Sequence, residues 1–164
     1  MTVGEVLDAA RDAAVEIRRI DEQAELRLQA VGPQGYSLGV HSKNGILDPM
    51  RKVDELMDWQ DSEMDKTELL APIDEAWDVL MGAQKVSSDL DVEIVTRYYL
   101  QAESLREIVV GSKVRNVPPI AQRVESMAKL SFKEQAKVLE RAMKESIASW
   151  DQIGIAHLKE MGRQ

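Results

Sequence analysis

Strict alternation of apolar and polar residues is almost absent from this chain; apolar residues recur instead at steps of three and four. That period belongs to helices with one buried face, whereas a half-buried strand needs a period of two. The clearest case is residues 131–150, SFKEQAKVLERAMKESIASW. Ser131 and Glu134 spell S-x-x-E, the capping-box start of a helix. Phe132, Ala136, Leu139, Met143, Ile147 and Trp150 then trace one apolar stripe. Lys133, Lys137, Arg141 and Lys144 trace a basic stripe beside it, displaced by one residue, or about 100° around the axis. Such a helix docks on its domain through one stripe and offers cations to phosphates through the other. Read alone, the same helix is also an ordinary surface helix with solvated lysines.

The same period predicts an all-α protein from end to end. Residues 3–30 read as one helix, with Val6, Ala10, Ala13, Ile17, Ile20, Ala24 and Leu28 on its apolar face. Gly32-Pro33 should stop it. Residues 32–47 hold four of the nine glycines and read as a loop too long to be only a connector. The loop lacks the spelling of a phosphate cradle, and its His41 stands alone. Asp48-Pro49 should cap a second helix, broken or kinked near Leu70 by Pro72 and ended by Gly82. Helix, loop and helix make a long antiparallel hairpin, so residues 1–86 form one expected domain.

Residues 87–164 form the second. Ser87-Ser88-Asp89 offers caps for a helix from Leu90 to about Val110, apolar on most sides. Residues 111–119, GSKVRNVPP, make a basic, turn-rich connector. Pro118-Pro119 starts a short helix over 120–128, and Lys129-Leu130-Ser131 turns into the basic helix. A short helix, a tight turn and a longer capped helix is the helix-turn-helix plan. Trp77, Tyr98 and Leu139 are the expected core anchors.

Charge supports two unlike halves. The net charge is −8, but residues 1–85 hold 18 acids against 9 bases, and residues 86–164 hold 11 against 12. Within 111–144 there are 8 bases and 3 acids. An acidic front repels nucleic acid and a basic segment attracts it. There is no cysteine, and no apolar run approaches the roughly 18 residues of a membrane span. The N-terminus carries early acids and no apolar signal core. These features point to a cytoplasmic protein without a membrane partner.

Residues 91–109, DVEIVTRYYLQAESLREIV, resemble the opening of the sigma-factor region-4-like helix-turn-helix of phage and prophage regulators. The matching residues are Arg97, Tyr98, Ser104, Glu107 and Ile108. The glycine-rich loop, the AWDVLMG segment and the tail SWDQIGIAHLKEMG are similar to the same group. The family's glycine after the tyrosine is Ala102 here, its tryptophan is Leu105, and its alanine after the isoleucine is Val109. Glu107 and Ser131 lie 24 residues apart, where the family needs fewer than ten. Either an inserted segment expands the turn, or residues 120–128 have taken over as the motif's first helix. The resemblance implies a late-gene transcriptional regulator that binds double-stranded DNA.

On that reading the recognition helix is 132–146. Lys133 and Gln135, near its N-terminus, are the expected base-edge readers. Lys137, Arg141, Lys144, Arg123, Lys113 and Arg115 are the expected phosphate contacts. The acidic hairpin is left to dimerise or to meet RNA polymerase or another host protein. A second reading is a phage-encoded inhibitor, directed by the acidic hairpin at a basic host nucleic-acid-binding or defence protein. A third is a packaging adaptor. No enzyme, metal or cofactor is expected. There is no G-x-S-x-G, H-E-x-x-H or Walker-type spelling, and the two histidines, His41 and His157, are far apart in sequence. The dense carboxylates around residues 54–65 read as a solvated acidic face.

Overall fold

The structure, a computed structural model, describes residues 1–31, 49–111 and 117–164, with side chains over 1–26, 65–111 and 117–164. It is all-α, and no strand occurs among the described residues. Helix α1 runs over Val3–Val31 and α2 over Pro49–Ala83. Then come α3 (Asp89–Val95), a π-helical turn (Thr96–Leu100), α4 (Leu105–Val110), α5 (Ile120–Arg123) and α6 (Glu125–Ala128). The chain closes with α7 (Phe132–Ile153) and α8 (Ile155–Arg163). The long loop with His41, and residues 112–116 of the connector, lie outside the described residues.

Two compact units form, one from Met1–Ala14 with Pro72–Gln164, the other from Val15–Ala71. The division expected at residue 86 therefore falls elsewhere. The reason is burial. Val3, Val6, Leu7 and Ala10 of α1, and Ala76, Val79, Leu80 and Ala83 of α2, belong to the same core as Ile94, Ile108, Leu139, Met143, Trp150 and Leu158. The two hairpin ends have apolar faces that the C-terminal helices cover. In the second unit Lys66 pairs with Asp21, which holds α1 beside α2 there.

Several expectations about helix ends are revised. Helical hydrogen bonding continues through Pro72, although a proline removes one N–H from the ladder. The boundary between the units on α2 falls at that residue. Gly82 does not end α2; it lies inside it. A Cβ on Gly82 would come within 1.8 Å of the Leu158 carbonyl oxygen, so this glycine exists to let α8 approach. The helix expected over 90–110 is broken twice over, by the π-helical turn and by a tight reversal at 101–104. The short helix over 120–128 is split at Val124, whose backbone is extended.

Helix α7 follows its sequence closely. Ser131 Oγ accepts from the Glu134 N–H, and the Glu134 carboxylate accepts from the Ser131 N–H at 3.1 Å, so the capping box is closed. Leu139, Met143 and Trp150 are buried. The Trp150 indole N–H donates to Ser87 Oγ at 2.8 Å, which satisfies the one polar atom of a fully buried ring. Gly154, at φ +92, ends the helix in a conformation that other residues resist. The expected anchors divide: Leu139 is buried, Tyr98 is half-buried, and Trp77 is 49% exposed.

Candidate functional site

The basic stripe is the first candidate. Lys133, Lys137, Arg141 and Lys144 are all exposed on α7, because Leu139, Met143 and Trp150 turn the opposite side into the core. Lys133, Lys137 and Arg141 make no ion pair among the described residues. Lys144 pairs with Glu140 at 3.3 Å, one helical turn away. Glu140 stands in the same row and reduces its charge. Arg123 lies off this row: it is exposed and pairs with Glu93 of α3. Lys113 and Arg115 lie outside the described residues.

Gln135 corrects the expected set. It is 8% exposed, and its amide donates to the carbonyls of Met127 at 2.7 Å and Leu130 at 3.2 Å. The side chain braces the turn between α6 and α7 by donating to two of its carbonyls, of which Met127's also accepts from the Leu130 N–H at 3.1 Å. An amide committed in this way cannot read a base edge. The buried row of α7 accordingly starts at the polar Gln135 rather than at Phe132, which is 43% exposed with the Arg106 guanidinium 5.8 Å from its ring centre.

The second candidate surrounds the reversal after the π-helical turn. The Gln101 N–H donates to the Thr96 carbonyl, and the Glu103 N–H reaches back to the Arg97 carbonyl at 3.0 Å. Ala102, between them, sits at φ +55. Arg97 and Glu103 are also joined by their side chains. Arg97 Nε donates to Glu103 Oε2 at 2.7 Å, and Nη2 donates to Oε1 at 3.4 Å, with each side chain 5% exposed. Arg97 Nη1, on the opposite edge of the guanidinium, is buried and has no acceptor.

Arg11 of α1 braces the same place. Its guanidinium donates to the carbonyl of Tyr98, reaches the carbonyl of Glu103 at 3.4 Å, and lies 3.8 Å from the Tyr98 ring centre. The neighbouring Tyr99 phenol is pushed above its ordinary value, chiefly by burial and then by the Asp8 carboxylate. Beside this pair opens a groove of about 340 Å³, with Trp77 and Met81 of α2 on one wall and Asp89, Val92 and Arg97 on the other.

The matching residues of the family resemblance thus have structural duties here. Arg97 and Tyr98 hold the reversal, Ser104 caps α4 by accepting from the Glu107 N–H at 3.1 Å, and Ile108 is fully buried. Sequence reasoning missed the Arg97–Glu103 pair because residues six apart do not touch in a regular helix or in a regular strand. The available signal was Arg97 itself, an arginine set among the apolar residues Ile94, Val95, Tyr98 and Tyr99. Among the described residues no group of acids and histidines could hold a metal ion, and no helix is long and apolar enough to cross a membrane. Compared with protein-family models, curated proteins and solved structures, the chain matches none.

Proposed function

We propose that the chain is a non-enzymatic DNA-binding regulator of the phage and prophage type, which lays the basic row of α7 along a duplex backbone. One observation carries this reading: Lys133, Lys137 and Arg141 are exposed together on a helix whose other side buries Leu139, Met143 and Trp150 in the core. Cations placed so gain most from phosphates and their released counterions. With Gln135 buried, Lys133 remains the base-edge candidate in the first turn. The proposed site is therefore richer in phosphate contacts than in base contacts, a balance that favours affinity over discrimination.

The test is a gel-shift series on random-sequence duplex at about 50 and 200 mM salt, the span over which phosphate contacts show. Lys137→Ala combined with Arg141→Ala should flatten the log–log salt dependence by about 1.8, at roughly 0.9 per phosphate. Its melting temperature should match that of the parent, since neither side chain touches the core. A parent protein with no salt-sensitive duplex binding ends the proposal. The reading then preferred is a protein-directed factor that works through its acidic hairpin. The burial of Gln135 and the commitment of Arg123 to Glu93 favour that second reading, since each removes an expected DNA contact.

A further inference from the structure

The surface around Trp77 and Met81 belongs to α2 and α3, so what it binds does not depend on the DNA reading of α7. Apolar residues scattered singly on a protein surface are ordinary; neighbouring ones in a concavity are not. Trp77 and Met81 are 49% and 44% exposed, stand one turn apart on α2, and line the same groove of about 340 Å³. Leu80, Val92 and Val117 add to its apolar lining. Tryptophan is among the commonest anchors of protein interfaces, and methionine adapts its shape to whatever lies against it.

Charge narrows the occupant. Residues 74–93 hold six acids and one base. Glu75 pairs with Lys159, and Glu93 with Arg123. Asp74 and Asp78, within a turn of Trp77 on α2, and Asp89, which lines the groove, are exposed and form no ion pair among the described residues. An anionic partner, nucleic acid included, is repelled here. A purely apolar partner would take these carboxylates out of water without pairing them, at a net cost. Cations set among apolar anchors meet both needs. No strand edge occurs among the described residues for an extended peptide to join, and the groove lies between two helices, so a helix laid in it is the fitting shape. The stretch from Asp74 to Gln84 rises about 15 Å, which about three turns of a partner helix cover. We propose that this surface docks a cationic amphipathic helix of another protein, with its apolar anchors on Trp77 and Met81 and its lysines or arginines over Asp74, Asp78 and Asp89.

The test titrates the full-length protein, labelled with nitrogen-15, with a peptide of leucine and lysine whose leucines recur at steps of three and four. A second peptide has the same composition with leucine and lysine alternating, and a third has glutamate in place of lysine. The first should move the Trp77 indole N–H saturably, and raising the salt from about 50 to about 200 mM should weaken it. Trp77→Ala should weaken binding about thirtyfold, the loss of an interface anchor. Asp74→Asn, Asp78→Asn and Asp89→Asn combined should weaken it about tenfold. The indole N–H of the buried Trp150, bonded to Ser87, should stay in place throughout and so report an intact fold in every variant. No saturable shift at Trp77 overturns the proposal. Equal binding of the alternating peptide overturns it too, because charge alone is then recognised, and so does equal binding of the glutamate peptide. A Trp77 signal that moves with protein concentration in the absence of peptide also overturns it, because a second copy of the chain then covers the surface.

Discussion

Helix α7 is one unbroken helix, whereas the segment 89–110 is divided into two short helices with a π-helical turn between them. In α7 every instruction is local. A capping box opens it, an apolar row at steps of three and four seats it, and Gly154 closes it. In 89–110 the local pattern also favours helix, yet the chain widens into a π-helical turn and reverses at Ala102. What differs is a remote partner. Arg11, far away in sequence, donates to the carbonyls of Tyr98 and Glu103, and the side chains of Arg97 and Glu103 bond across the reversal. Carbonyls taken by a guanidinium are carbonyls no longer needed by a helix ladder. A helix thus continues only where no better offer reaches its backbone.

The comparison can be broken most severely at Glu103. Glu103→Ala leaves the Arg97 charge buried and unpaired, and should cost about 3–5 kcal/mol of stability in denaturant unfolding. A loss below about 1 kcal/mol would mean that the reversal does not depend on the pair, and the contrast with α7 would collapse. Next in size is Gly82→Ala, a second position decided by a remote residue. Its methyl would meet the Leu158 carbonyl, so about 3 kcal/mol should be lost, the upper part of the usual overpacking range. By helix propensity alone the same change should stabilise by about 1 kcal/mol, so the sign of the measured effect decides between local and remote control.

Smaller effects sharpen the local side. Ser131→Ala removes one half of the capping box and should cost about 1 kcal/mol, with unfolding still a single transition. Ala102→Gly should go the other way. It relieves about 1–2 kcal/mol of left-handed backbone cost. It returns part of that as unfolded-chain entropy and a lost methyl contact, so a net gain of about 0.5 kcal/mol is expected in melting experiments. A destabilised Ala102→Gly would show that the φ of +55 is not what limits this turn.

The fold class was legible because helical periodicity is a property of neighbours in sequence, and neighbours suffice to set it. The start of α7 and most of its apolar row were readable for this reason, as was the basic row, which falls outside the apolar one. Gln135 was misread because its role requires the carbonyls of Met127 and Leu130, which only the folded turn brings to it. Trp77 was misread because a large apolar residue on a helix does not reveal whether another element will cover it.

Composition and spacing by themselves determined that this chain is helical, that its front half is acidic and that α7 has two chemically distinct sides. Only the tertiary structure decided where 89–110 breaks, which arginines are spent on carboxylates, and that one guanidinium edge is left without an acceptor. The physical reason is that helix propensity acts over a few residues, whereas ion pairing and burial depend on which distant residues arrive.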